Sequence, residues 1–86
     1  MNETTNEKTT QKTKPVHRIR LGNLSAFIWE NMGDDGKTNY RATIAKSYRD
    51  SRGHWQETTS FRSDDLVLLS KLVELAAHWM LKRENQ

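Results

Sequence analysis

The chain has no cysteine, one proline, four glycines and no long apolar run. Each shortage excludes something. Without cysteine there is no disulfide to staple the fold, no thiol nucleophile and no thiolate ligand. His17, His54 and His78 lie far apart, and Asp34-Asp35 lacks the spacing of a calcium loop, so neither a metal nor a cofactor is expected. No G-x-S-x-G motif and no glycine-rich phosphate loop is present, which removes the nucleophile elbow and the nucleotide cradle. No segment has the length of a signal peptide or a membrane span. With the missing cysteine, that leads to the expectation of a cytoplasmic protein with no membrane partner. In that setting the glycosylation patterns at Asn2-Glu3-Thr4 and Asn23-Leu24-Ser25 are chance matches.

The 86 residues allow one small domain. The first fourteen, MNETTNEKTTQKTK, contain one apolar residue, Met1. They cannot bury enough surface to offset the entropy of ordering, so residues 1–14 are expected to be a disordered tail and residues 15–86 the domain. About 70 residues sit near the lower limit for a self-sufficient core, and with no disulfide or metal the remaining help is oligomerisation. The net charge is +3. Eight Lys/Arg against five Asp/Glu fall between Pro15 and Arg62, so the basic excess lies in the first two-thirds of the domain.

Period-two patterning predicts strands at 16–22, 24–31, 39–49 and 54–62. The connections are Gly22-Asn23 (a bend, a bulge or a tight turn), the loop Met32-Gly33-Asp34-Asp35-Gly36-Lys37, and the turn Asp50-Ser51-Arg52-Gly53. Lys46 interrupts an otherwise apolar alternation, which suggests a strand end or bulge there. From Leu66 to about Arg83 no Gly or Pro occurs. Ser63 is the expected N-cap, Asp64 and Asp65 suit the positive end of the helix dipole, and Lys82 and Arg83 suit the other end. The helix is apolar around roughly two-thirds of its circumference, more than one sheet requires. One flank is therefore expected to cover the sheet and the other to meet a second copy through Leu68, Leu72, Leu75 and Trp79. The fold class that follows is α+β: a four-stranded antiparallel meander, then one long C-terminal helix packed on one face and dimerising through it.

With the helix on one face, the opposite face of the sheet is left uncovered. The aliphatic positions Ile19, Leu21, Leu24, Ala26 and Ile28 alternate with Arg18, Arg20, Phe27 and Trp29, and Arg41 and Arg49 share the second set. Guanidinium groups contact phosphates at two oxygens, and flat rings stack on bases. Arg18, Arg20, Arg41, Arg49 and the loop residue Lys37 are thus candidate phosphate ligands, and Phe27 and Trp29 candidate stacking platforms. If Gly22-Asn23 slips the register instead, Phe27 and Trp29 turn into the core. Trp55 and Phe61 are expected to be core, as bulky partners of the helix, and Tyr40 and Tyr48 fit either face. Catalysis is not expected: Asp64-Asp65 read as helix-start acids, and Glu74 with His78 as a surface pair on a helix.

On this layout, on Arg18-Ile19-Arg20-Leu21, Phe27-Ile28-Trp29 and the helix start Ser63-Asp64-Asp65-Leu66, the chain resembles the positive cofactor four family of single-stranded DNA-binding proteins, which includes small bacterial members. The resemblance covers roughly residues 16–82. It implies a homodimer whose basic, aromatic sheet takes single-stranded DNA with little sequence preference. Two other uses of the same face follow from its residues: laying the sheet in the major groove of duplex DNA, and holding a protein partner on the exposed aromatics.

Overall fold

The structure, a computed structural model, describes residues 10–11 and 14–84. Its elements are β1 (Thr10–Gln11), β2 (His17–Leu21), β3 (Leu24–Met32), β4 (Thr38–Arg49), β5 (Trp55–Thr58) and α1 (Ser63–Glu84). Strands β2 to β5 form the expected antiparallel meander, and α1 follows as the one helix among the described residues.

Gly22-Asn23 is a tight two-residue turn. Leu21 pairs with Leu24, and the ladder runs back to His17 opposite Ile28. Gly22 has φ 60°, a conformation that costs an L-residue roughly 1–2 kcal/mol. A Cβ there would also lie 3.1 Å from Leu68 Cδ2 on the helix. The turn therefore needs glycine on two counts, and it preserves the alternation across both strands.

The expected tail is not wholly outside the sheet. Thr10 and Gln11 pair with Met32 and Asn31 on the edge of β3 that β2 also occupies. Continuing the β2 register would set residue 13 opposite Met32, so β1 is offset by three residues. The expectation for residues 1–9 and 12–13 lies outside the described residues.

Leu24, Ala26 and Ile28 of β3 and Leu72 and Ala76 of α1 are the buried apolar core. Ile19, Leu21, Tyr40, Ile44, Phe61, Leu69, Trp79 and Met80 pack around it. Full burial of a large aliphatic side chain contributes about 1.5–3 kcal/mol, and only Leu24, Ile28 and Leu72 among the large side chains reach it. Phe61 joins the core as expected. Trp55 does not: it is 64% exposed, on the face away from the helix.

Lys46 causes no bulge. It stays paired with Leu24 and Thr58, points toward the helix, and its Nζ lies 2.6 Å from Asp65 Oδ2. The same carboxylate accepts the Arg62 N–H at 2.8 Å, while the Arg62 carbonyl accepts the N–H of Leu66. Arg62, not Ser63, is thus the N-cap, and Asp65 three residues on satisfies its N–H. Two donors on one carboxylate, the Lys46 ammonium first and the Arg62 amide second, hold the Asp65 carboxyl below its ordinary value.

Candidate nucleic-acid interface

The ladder fixes which side chains share the uncovered face. Arg18 lies opposite Phe27 and Arg20 opposite Ser25; Phe27 faces Thr43, Ser25 faces Ala45 and Trp29 faces Arg41; Ser47 faces Glu57 and Arg49 faces Trp55. All of these project away from α1. Phe27 and Trp29 are partly exposed rather than core, and Arg18, Arg20, Arg41 and Arg49 are exposed beside them.

The arginines are held rather than loose. The Arg18 guanidinium carbon lies 5.2 Å from the Phe27 ring centroid, and Arg18 Nη2 donates to Ser25 Oγ at 3.2 Å. The Arg49 guanidinium sits 5.1 Å from the centroid of Trp55. Cation–π contact of this kind is worth roughly 0.5–1 kcal/mol when exposed. Arg20 Nε donates to the Gly22 carbonyl at 3.0 Å. With the Asn31 amide oriented to satisfy both neighbours, its oxygen accepts from Arg41 Nε at 3.1 Å. Trp29 Nε1 donates to Thr43 Oγ1 at 3.0 Å, which fixes the edge of the indole while its surface stays accessible.

Two open clefts adjoin on this face. The first, of ≈ 540 Å³, is bounded by Arg18 and Arg20 from one strand, by Trp55, Gln56 and Glu57 from another, and by Ser47 between them. The second, of ≈ 410 Å³, is lined by Phe27, Trp29, Thr43, Ala45 and Glu57, with Pro15 and Thr59 at its rim. Both volumes fall in the range of about 300–1,000 Å³ usual for small-ligand sites. Short side chains, Ser25, Ala45 and Ser47, open space between the flanking rings and arginines. Glu57 borders both clefts and is the acidic group between them.

Lys37 is not brought to this cluster. It sits in the β3–β4 loop, where its N–H is donated to Asp35 Oδ1 and its carbonyl accepts from Gly33. That loop is at the opposite end of the sheet from Arg20, Arg49 and Trp55. Conversely, Trp55 and Glu57 belong to the face although sequence patterning assigned Trp55 to the core. A carboxylate two residues from Trp55 on the same face of one strand was the available signal.

The residues expected at a helix-mediated contact are divided. Leu72 is fully buried against its own sheet. Trp79 stacks on His17 at 4.8 Å and 7°, meets the edge of Tyr40 at 5.5 Å and carries Arg83 at 4.6 Å. Both serve the core of their own chain. Leu68 lies over the Gly22 turn, and Leu75 is half-buried.

Among the described residues, no three His, Asp or Glu side chains gather closely enough to hold a metal ion, and no helix is long and apolar enough to cross a membrane. No protein-family model, no curated protein and no solved structure matches the chain.

Proposed function

We propose that this chain is a non-enzymatic single-stranded DNA-binding protein of low sequence specificity, acting as a cytoplasmic homodimer. The observation that carries the reading is the uncovered sheet face: four arginines and three aromatic rings in register, two of the arginines seated over rings. Phosphates would meet Arg18, Arg20, Arg41 and Arg49, and bases would stack on Phe27, Trp29 and Trp55. Stacking of this type contributes about 1–3 kcal/mol per base and accepts any base. Lys37 would reach a phosphate only from a strand that runs the length of the sheet. The resemblance to the positive cofactor four family supports the same reading through its element order and its use of one sheet face.

The test is a fluorescence titration with oligo-dT at low salt. Quenching of tryptophan emission with micromolar or tighter affinity is expected, and unchanged emission with no binding would sink the reading. An excess of duplex competitor separates the two nucleic-acid forms. Preference for duplex would replace the single-strand reading with major-groove docking of the sheet.

A further inference from the structure

Strand β4 is twelve residues long, but β5 pairs only with Lys46 to Arg49. Residues 38–45 therefore have β3 on one side and, among the described residues, no strand on the other. Ser47 donates its N–H to the Asn23 carbonyl, on the β3 side, at 2.8 Å. By the alternation of an antiparallel ladder, Ala45, Thr43, Arg41 and Asn39 also direct their backbone groups toward β3, and Ile44, Ala42, Tyr40 and Thr38 direct theirs outward. The Tyr40 N–H confirms the parity: it reaches Glu84 Oε2 at 3.3 Å.

Open edges in soluble proteins are blunted by lysine, proline, a bulge or an inward-pointing charge. The segment Thr38-Asn39-Tyr40-Arg41-Ala42-Thr43-Ile44-Ala45 has none of these. Its one charge, Arg41, projects to the other face. Beside the open edge, on the helix side, runs a largely apolar groove of ≈ 330 Å³ lined by Ala42, Ile44, Val73, Ala77, Met80 and Leu81, with Glu84 as its one charged lining residue. Val73 is 45% and Leu81 57% exposed. A strand edge that no described strand covers and a largely apolar groove in one place are what a strand-adding partner needs: the edge supplies backbone bonds, the groove takes alternate side chains.

We infer that this edge binds a second copy of the chain, β4 to β4 in antiparallel register about Ala42, so that two sheets become one and the helix flanks carrying Val73 and Leu81 close over the junction. This rests on the homodimer within the proposed function and assigns its interface. The occupant is argued from the edge itself. Pairing centred on Ala42 sets Tyr40 beside Ile44 of the second copy and Arg41 beside its Thr43, which keeps the two Arg41 charges from facing each other. It uses residues 40–44 and stops short of Lys46, where β5 already holds the edge. The first nine residues of the chain carry one apolar side chain, Met1, and have nothing to fill the groove. Glu84, exposed at the end of the helix, is displaced from the Tyr40 N–H as the strand adds.

The experiment is the oligomeric state of the full chain by sedimentation, with far-UV circular dichroism as the control for folding. The wild type is expected to be a dimer at micromolar concentration. Ala42→Pro removes an outward N–H that no described strand of its own chain accepts, so the variant is expected to stay folded and to dissociate at least 100-fold more readily. Ala42→Lys, an inward guard on the same edge, decides the matter if the proline variant does not fold. Hydrogen exchange at the Ala42 and Ile44 amides is expected to slow as concentration rises. A monomeric wild type would overturn both this interface and the homodimer. A dimer that survives Ala42→Pro or Ala42→Lys but dissociates with Leu75→Glu would overturn the interface alone.

Discussion

Trp55 sits under Arg49 on a strand of four residues, mostly in solvent, so its ring does little for the fold and is available to a ligand. Trp55→Ala is expected to leave the thermal midpoint nearly unchanged and to weaken oligo-dT binding by about 1–3 kcal/mol, read by anisotropy. Glu57 has the opposite role. It is a carboxylate between two clefts, one of them bounded by Arg18 and Arg20, and it repels any phosphate drawn there. Glu57→Gln is expected to tighten oligo-dT severalfold at low salt, with the gain fading as salt rises. Asp65 contributes to the pH dependence of stability. Its carboxyl titrates lower in the folded chain than in the unfolded one, because of Lys46 and then the Arg62 amide. Its contribution is therefore present above the ordinary carboxylate value of 3.8 and is lost as pH falls through the depressed folded value. Asp50 shifts the same way, chiefly through the His54 amide and also through Gln56 and Arg52. Urea midpoints are expected to fall on acidification from about pH 5 to pH 2, and Asp65→Asn is expected to flatten part of that fall. Lys46 was legible as an anomaly in its strand, but its partner was not: the ion pair joins residues 19 apart in sequence, and no local pattern connects them.

At the scale of elements, the Gly22 turn decides the faces. A two-residue connection keeps Arg18 over Phe27 and Ile19 over Ala26, and one residue more or less would exchange the faces of β2. Gly22→Ala is expected to lower stability by about 1–2 kcal/mol in chemical denaturation, because alanine disfavours φ 60° and its methyl meets Leu68. Strands β2 to β4 were readable because each alternates over at least five residues between clear turn signals. Strand β5 was not. Its alternation puts Trp55, Glu57, Thr59 and Phe61 on one face, yet the strand ends at Thr58, and the chain then turns, with the Ser60 N–H on Thr58 Oγ1. Trp55 and Phe61 thereby fall on opposite sides of the sheet. The helix was the easiest element to find and the hardest to orient. So many of its positions are apolar that periodicity alone cannot select Leu72 and Ala76 over Val73 and Ala77 as the buried pair.

Across the whole molecule, the sheet separates two tasks. One face carries the helix and core, the other the rings and arginines. If four arginines per chain each meet a phosphate, the logarithm of affinity for single strands is expected to fall with the logarithm of salt at a slope of about −3 per chain. Titrations between low and moderate salt check this. A slope near zero would favour a protein partner over nucleic acid. The edges of the sheet also differ. Strand β2 is five residues long and β5 four, too short to template much pairing, whereas residues 38–45 of β4 form a longer stretch that no described strand covers. In the language of polymerisation, a unit with two reactive ends grows without limit, and a unit with one stops at the pair. If the open stretch of β4 is the one reactive end and the short β2 and β5 edges are inert, the assembly would terminate at two, and sedimentation that shows species beyond the dimer would count against it.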